Sequence, residues 1–134
     1  MANLLKVEGI GETYAKKLVG AGVKNTDALL EMGATKKGRE EIAEKSGISG
    51  KLVLEWVNHV DLFRIKGVGE EYADLLEEAG VDTVPELAQR KPENLHKKMV
   101  DVNGEKKLVR QLPSENQVRS WVEQAKVLPR KVFY

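Results

Sequence analysis

The sequence predicts an all-α protein of short helices, and three observations support this. Apolar residues recur at helical spacing along most of the 134 residues, whereas no segment shows the strict alternation of a half-buried strand. A pair of glycines around one apolar residue opens a helical segment twice. Serine, threonine and proline residues stand where further short helices would begin. A hydrophobic content of 41% with 32% charged residues suits a folded, helix-rich chain.

The two glycine-containing segments are copies of one another. Placing "VEGIGETYAKKLVGAGV" over "IKGVGEEYADLLEEAGV", and extending the match to residues 7–30 and 65–88, gives ten identities in 24 positions. The similarity resumes after seven additional residues, where "SGKLVLEWV" from Ser49 matches "SENQVRSWV" from Ser114. A sequence repeat of this kind indicates a repeated structural unit.

The repeat therefore divides the chain into two expected domains. We expect the first over residues 1–63 and the second over 64–134, with a short insertion in the second near 99–110. Each half is small enough to bury only a modest core by itself, so one compact or bilobed protein is expected.

The first domain opens with an incomplete leading helix, expected from Ala2 to Lys6. The helix after Gly11 ends at Gly22, because glycine tolerates the left-handed conformation that closes helices. Asn25 or Thr26 is expected to cap the next short helix. A helix in "KKGREEIAEKSG" and a longer apolar helix in "GKLVLEWVNHVDLF" complete the domain.

The second domain repeats this order with clearer start signals. Thr83 and Glu86 form an expected capping box, and Pro92 is expected to open the next helix. Ser114 and Gln117 form a second capping box at the start of the last helix.

The two-glycine turns are the expected functional feature. Gly9 and Gly11 flank Ile10, and residues 67–69 repeat the pattern. Glycines allow a tight turn in which the central apolar residue is buried. The N–H groups that begin the following helix have no intrahelical acceptor and lie at the positive end of the helix dipole. Such a turn favours binding of an anion, phosphate above all.

These residues resemble a known family of modules. "GIGETYAKKLVGAGV" and "GVGEEYADLLEEAGVDTVPELAQRKPENL" are similar to the helix-hairpin-helix units of DNA repair and recombination proteins, in the extended form that resembles a sterile-alpha-motif-like domain. From "VEGIG" to "QAKVLP" the chain also resembles an uncharacterised bacterial family of tandem helix-hairpin-helix proteins. The resemblance implies a small protein that binds nucleic-acid backbone, duplex or single-stranded DNA, without sequence specificity.

The candidate nucleic-acid contacts are the two turns and the lysines and arginine that accompany them. They are Gly9, Ile10, Gly11, Lys16, Lys17, Lys66, Gly67, Gly69, Lys97, Lys98, Lys106, Lys107 and Arg110. The second turn is followed by five acidic residues within "GEEYADLLEE", which would repel a phosphate. We therefore expect the first turn to bind and the second turn not to bind through its loop.

Segregated charge supports an alternative function. The net charge is only +1, yet residues 66–86 hold seven acids and one base, and residues 87–110 hold seven bases and three acids. Such segregation can guide a protein partner, or a second copy of the chain. The alternative is thus a protein-interaction or scaffolding module that has lost DNA binding.

Other classes of function find little support in the sequence. There is no cysteine, no histidine cluster at ligand spacing and no phosphate-binding lysine loop, so we expect no metal, no cofactor and no enzymatic activity. The N-terminus lacks an apolar signal segment, and no apolar run approaches the roughly 20 residues of a membrane span. We expect a cytoplasmic protein without a membrane partner.

Overall fold

The computed structural model describes residues 3–134 and confirms the all-α prediction. Over these residues the chain forms one 3-10 helix and eight α-helices, and no strand. The 3-10 helix is Leu4–Lys6, and the α-helices are α1 (Glu12–Gly20), α2 (Thr26–Met32), α3 (Lys36–Ser46), α4 (Gly50–Leu62), α5 (Glu70–Glu78), α6 (Val84–Ala88), α7 (Pro92–Lys106) and α8 (Glu115–Val127). Ala2, the expected start of the leading helix, lies outside the described residues.

The chain folds into two compact units. Unit 1 extends to Asp61 and also includes Lys131–Tyr134, whereas unit 2 comprises Leu62–Arg130. The repeat alone placed the division between residues 63 and 64 and the last four residues in the second domain. These four residues belong to unit 1 because Val132 is buried there and the Phe133 N–H donates to the carbonyl oxygen of Ala34 at 2.7 Å.

Unit 1 has a core to which each of its four α-helices contributes. The fully buried side chains of Leu18, Leu29, Ile42 and Trp56 come from α1, α2, α3 and α4 in that order. The predicted start and stop signals explain the lengths of these helices. Asn25 caps α2 by accepting a hydrogen bond from the Ala28 N–H at 2.8 Å.

Unit 2 has its own core, in which α6 and α7 pack against α8. Leu75 and Leu76 of α5, Leu87 of α6, Leu95 of α7 and Trp121 of α8 are all buried there. Burial of these apolar side chains supplies the main stabilising free energy of the unit.

One of the two expected capping boxes forms. The Ser114 hydroxyl accepts from the Gln117 N–H at 3.1 Å, and the Gln117 side chain accepts from the Ser114 N–H at 2.8 Å. The expected box at Thr83 is wrong, because Thr83 is buried and makes no side-chain capping bond. The Glu86 carboxylate accepts instead from the N–H of Asp82, the residue before Thr83, at 3.1 Å.

Candidate functional site

The first turn, residues 9–11, has the geometry that the sequence predicts for it. Gly9 has a φ of +91°, a conformation that favours glycine. Ile10 is 4% exposed, so it anchors the turn in the core of unit 1. Gly11 is extended and forms the N-cap of α1. In the second turn, residues 67–69, Gly67 has a φ of +97° and Val68 is 5% exposed.

Each turn packs against a tryptophan from the last helix of its unit. A Cβ atom on Gly9 would lie 3.2 Å from Nε1 of Trp56, and a Cβ atom on Gly67 would lie 3.0 Å from Nε1 of Trp121. A side chain at the first glycine would thus crowd the indole, which would have to shift by a few tenths of an ångström. Glycine is favoured there for two reasons, the positive φ and the proximity of the indole.

A tyrosine from the helix that follows each turn packs on the same tryptophan. The ring centroids of Tyr14 and Trp56 are 5.1 Å apart, and those of Tyr72 and Trp121 are 5.3 Å apart, both pairs being tilted. Tilted aromatic pairs at this separation are favourable. These tyrosines and tryptophans align between the two copies of the repeat. Their recurrence with each glycine pair is the sequence signal of this packing, although it does not by itself reveal the contact with the turn.

The helices that follow the two turns begin without side-chain caps. Gly11 and Gly69 provide no capping side chain, and a Cβ atom on either would meet no other atom within 4 Å. In contrast, Asn25, Thr35 and Ser114 each accept a hydrogen bond from a first-turn N–H group of their helix. At α1 and α5 the first-turn N–H groups therefore lack this acceptor and lie beside an open surface.

The two lysines expected beside the first turn are exposed. Lys16 and Lys17 lie in the second turn of α1, and the Lys17 ammonium is 5.9 Å from the centroid of the Tyr14 ring. This distance is within the range of cation–π attraction. Glu12, also exposed, is the acidic residue in the first turn of α1. The local charge around the first turn is therefore mixed, with the two lysines one helical turn beyond the glutamate.

The second turn borders an open cleft of about 490 Å³. Its lining consists of Gly67, Gly69, Glu70, Glu71, Tyr72, Arg110 and Gln111. The Tyr72 hydroxyl donates to the carbonyl oxygen of Gln111 at 2.9 Å, which fixes the loop after α7 beside the turn. Arg110, from the expected basic set, thus lies at the second turn, and it shares the cleft with two carboxylates.

Lys66 is held at the second turn by its backbone. Its N–H donates to Oε1 of Gln124 at 2.9 Å, and its carbonyl oxygen accepts from Nε2 of the same side chain at 3.2 Å. The lysine side chain itself is exposed. Gln124 was not among the expected site residues, and nothing in its local sequence signalled this contact across 58 residues.

The remaining basic candidates lie on α7 and in the loop after it. Lys97, Lys98, Lys106 and Lys107 are all exposed. Lys106 donates to Oε2 of Glu78 at 2.9 Å, and this hydrogen bond is the main reason why the pKa of Lys106 is raised. The acidic and basic segments of the sequence are therefore joined by at least one ion pair within unit 2.

None of the helices within residues 3–134 has both the length and the apolar character that a membrane span requires.

Comparison with known proteins identifies the chain at the level of family. No curated protein and no solved structure matches the chain. The family described as a domain of unknown function (DUF4332) matches residues 8–128, which is most of the sequence, and the chain therefore belongs to this family.

Proposed function

We propose that the chain is a non-enzymatic, tandem helix-hairpin-helix protein that binds the backbone of nucleic acid through its first turn. The observation that supports this most directly is the start of α1. There Gly11 leaves the first-turn N–H groups without a side-chain acceptor and beside open space. An uncapped helix start on a rigid turn is suited to hold a phosphate oxygen.

The charge beyond the turn adds to this binding. Lys16 and Lys17 are exposed one helical turn further along α1 and can reach phosphates that flank the one held at the turn. Contacts of this kind position a nucleic acid without reading its bases. The proposed ligand is therefore a nucleic-acid backbone with little preference for sequence, and duplex and single-stranded DNA are the forms used to test it.

The second turn has the same backbone geometry and a different charge. Glu70 and Glu71 line its cleft together with Arg110. Two carboxylates close to a bound phosphate would each oppose it by about 1 kcal/mol or more. The second turn then contributes no phosphate contact, and in unit 2 the exposed Lys97, Lys98 and Lys107 supply a weaker, diffuse attraction.

A titration tests the proposal with the complete chain. Fluorescein-labelled duplex and single-stranded DNA are titrated with protein at about 50 mM and about 200 mM salt, and anisotropy is recorded. The expected dissociation constant is about 10⁻⁴ to 10⁻⁶ M near physiological salt, and it should increase steeply with salt. Absent binding, or binding independent of salt, would contradict the proposal.

One observation favours the alternative, a protein-interaction module. The pair between Lys106 and Glu78 joins one base of the basic segment to one acid of the acidic segment within unit 2. Pairs of this kind could also join two copies, or the chain and a charged protein partner. Size-exclusion chromatography with light scattering at low and high salt tests self-association. A salt-sensitive dimer would support it, and a monomer at both salt concentrations would exclude it.

A further inference from the structure

The last four residues, Lys131–Tyr134, lie on unit 1 as an irregular segment without helix or strand. Unit 1 binds the backbone of Phe133 on both sides. The Phe133 N–H donates to the carbonyl oxygen of Ala34 at 2.7 Å, and the Phe133 carbonyl oxygen accepts from Nη2 of Arg39 at 2.9 Å. Recognition of both polar groups of one residue is typical of bound peptides.

The neighbouring side chains add selectivity. Val132 is 2% exposed and fills an apolar position in unit 1. The Tyr134 hydroxyl donates to Oδ1 of Asn58 at 3.1 Å, and the Arg39 guanidinium lies 5.8 Å from the Tyr134 ring centroid. The side chains of Phe133 and Tyr134 are both at least half exposed, so the contacts of Tyr134 are made through its hydroxyl and one face of its ring. The contacts thus select a buried aliphatic residue and, two positions later, a tyrosine.

The groups that hold the segment are themselves fixed by unit 1. Arg39 is only 6% exposed, and its Nη1 donates to the carbonyl oxygen of Gly33 at 2.9 Å, which leaves Nη2 directed at the segment. Asn58 is also buried, on α4. Burial lowers the pKa of Arg39, as expected for a guanidinium held mainly by neutral carbonyl groups. These groups form a preorganised site, because α3 and α4 position them independently of the segment.

The segment is connected to the preceding helix by a short irregular link. Helix α8 ends at Val127, and Pro129 cannot continue it. Pro129 and Arg130 are exposed, and Val132 is the buried residue of the last four. The order of the segment therefore depends on its contacts with the site and not on secondary structure of its own.

We infer that unit 1 contains a binding site for an extended peptide in which an aliphatic residue precedes a tyrosine by two positions, and that Val132–Tyr134 is its exchangeable occupant. A partner that carries this pattern in an unfolded stretch would compete with the chain's own segment. Competition at such a site gives the protein a second interaction surface, distinct from the turns. The inference does not depend on the proposed nucleic-acid function.

Hydrogen exchange in the unaltered protein gives the first test. If the segment detaches while the rest stays folded, the Phe133 amide exchanges by local opening, at least about tenfold faster than amides in the middle of α4. The exchange rate of the Phe133 amide should also stay constant when denaturant is added at low concentration. If the Phe133 amide and the α4 amides were equally protected, with the same dependence on denaturant, the segment would open only when the whole protein unfolds. That result would overturn the inference.

A peptide titration gives the second test. The full-length variant Val132→Asp should release the segment, because a carboxylate cannot be buried unpaired at this position. A fluorescent peptide of sequence PRKVFY, amidated at its C-terminus, should bind this variant saturably and raise its melting temperature. The same peptide should bind the unaltered protein at least about tenfold more weakly, because its site is occupied.

Matched controls make the result specific. Val127→Asp places the same change at a valine that is 82% exposed, and this variant should retain its segment and exclude the peptide. The peptide PRKVFF should bind the Val132→Asp variant about fivefold more weakly than PRKVFY does, since it lacks the hydroxyl group that donates to Oδ1 of Asn58. Failure of PRKVFY to bind a helical Val132→Asp variant would overturn the inference. If that variant does not fold, hydrogen exchange in the unaltered protein decides.

Discussion

Nε1 of Trp56 lies 3.2 Å from the position that a Cβ atom of Gly9 would occupy, and Trp121 repeats this relationship with Gly67 at 3.0 Å. The indole of the last helix therefore closes the turn that precedes the first helix of each unit. The tyrosine that packs on each indole extends the same contact to the following helix. The duplicated turn is thus part of a duplicated packing arrangement, which explains why glycine, tyrosine and tryptophan recur together.

Replacement of Gly9 by alanine should destabilise the protein. The positive φ costs a residue with a Cβ atom about 1–2 kcal/mol, and displacement of the Trp56 indole adds to this cost. Gly11→Ala is the matched control, since the backbone there is extended and a Cβ atom would meet nothing within 4 Å. Its expected cost is about 0.5–1 kcal/mol, because alanine is a poorer N-cap than glycine. Urea denaturation of both variants checks the difference, and equal stability of the two would contradict this account of the turn.

A second pair of glycines separates close packing from helix propensity. A Cβ atom on Gly38 would lie 1.9 Å from the carbonyl oxygen of Met32, so α2 and α3 would have to move apart. We expect Gly38→Ala to lower the free energy of unfolding by about 2 kcal/mol or more. Gly104, within α7, has open space around it, and Gly104→Ala should raise the free energy of unfolding by about 0.5–1 kcal/mol. If Gly38→Ala melted at or above the temperature of the unaltered protein in thermal denaturation, the assignment of Gly38 to a packing role would be refuted.

The local elements of the fold could be predicted from the sequence because their signals are local. The Ser114–Gln117 capping box and the helix that it opens, Glu115–Val127, depend on residues within a few positions of one another. The capping box predicted at Thr83 and Glu86 was wrong because contacts distant in sequence act there. The Thr83 side chain is buried, and Glu86 bonds to the N–H of Asp82. Tertiary packing thus displaced a capping pattern that was locally plausible.

The long-range contacts of the candidate site could not be predicted in this way. The hydrogen bond from Tyr72 to Gln111 spans 39 residues, and the one from Arg39 to Phe133 spans 94. Neither pair has complementary charge or a shared motif that would reveal it in one sequence. The burial of Ile10 and the positive φ of Gly9, in contrast, followed from the turn pattern itself.

The ion pair of Lys106 and Glu78 predicts a measurable change in titration. Glu78→Gln should lower the pKa of Lys106 toward its ordinary value, because the hydrogen bond and the charge of Glu78 are the largest causes of its increase. A raised pKa stabilises the folded state below the ordinary lysine pKa, and this contribution is lost as the pH rises through the folded value. NMR titration of the Lys106 ammonium checks the change.

Glu105 supplies the control for this titration. Its charge raises the pKa of Lys106 less than Glu78 does, so Glu105→Gln should lower that pKa by a smaller amount. Since Lys106 is exposed, the stability of both variants near neutral pH should stay close to that of the unaltered protein. A larger effect of Glu105→Gln than of Glu78→Gln would show that the hydrogen bond does not dominate.

The double variant Lys16→Glu with Lys17→Glu tests the assignment of the first turn. If each lysine neutralises one phosphate, the slope of log K against log salt should become less negative by about 2, and affinity for duplex DNA should fall at every salt concentration. Lys36→Glu with Lys37→Glu is the matched control. These two lysines are also adjacent and exposed, and they lie at the start of α3, whose first turn is capped by Thr35.

The two double variants change the net charge equally, so a purely long-range effect would weaken binding to the same extent in both. A selective loss in the Lys16 and Lys17 variant, with an unchanged melting temperature, would locate the phosphate contact at the uncapped start of α1, and equal losses would remove it from that turn.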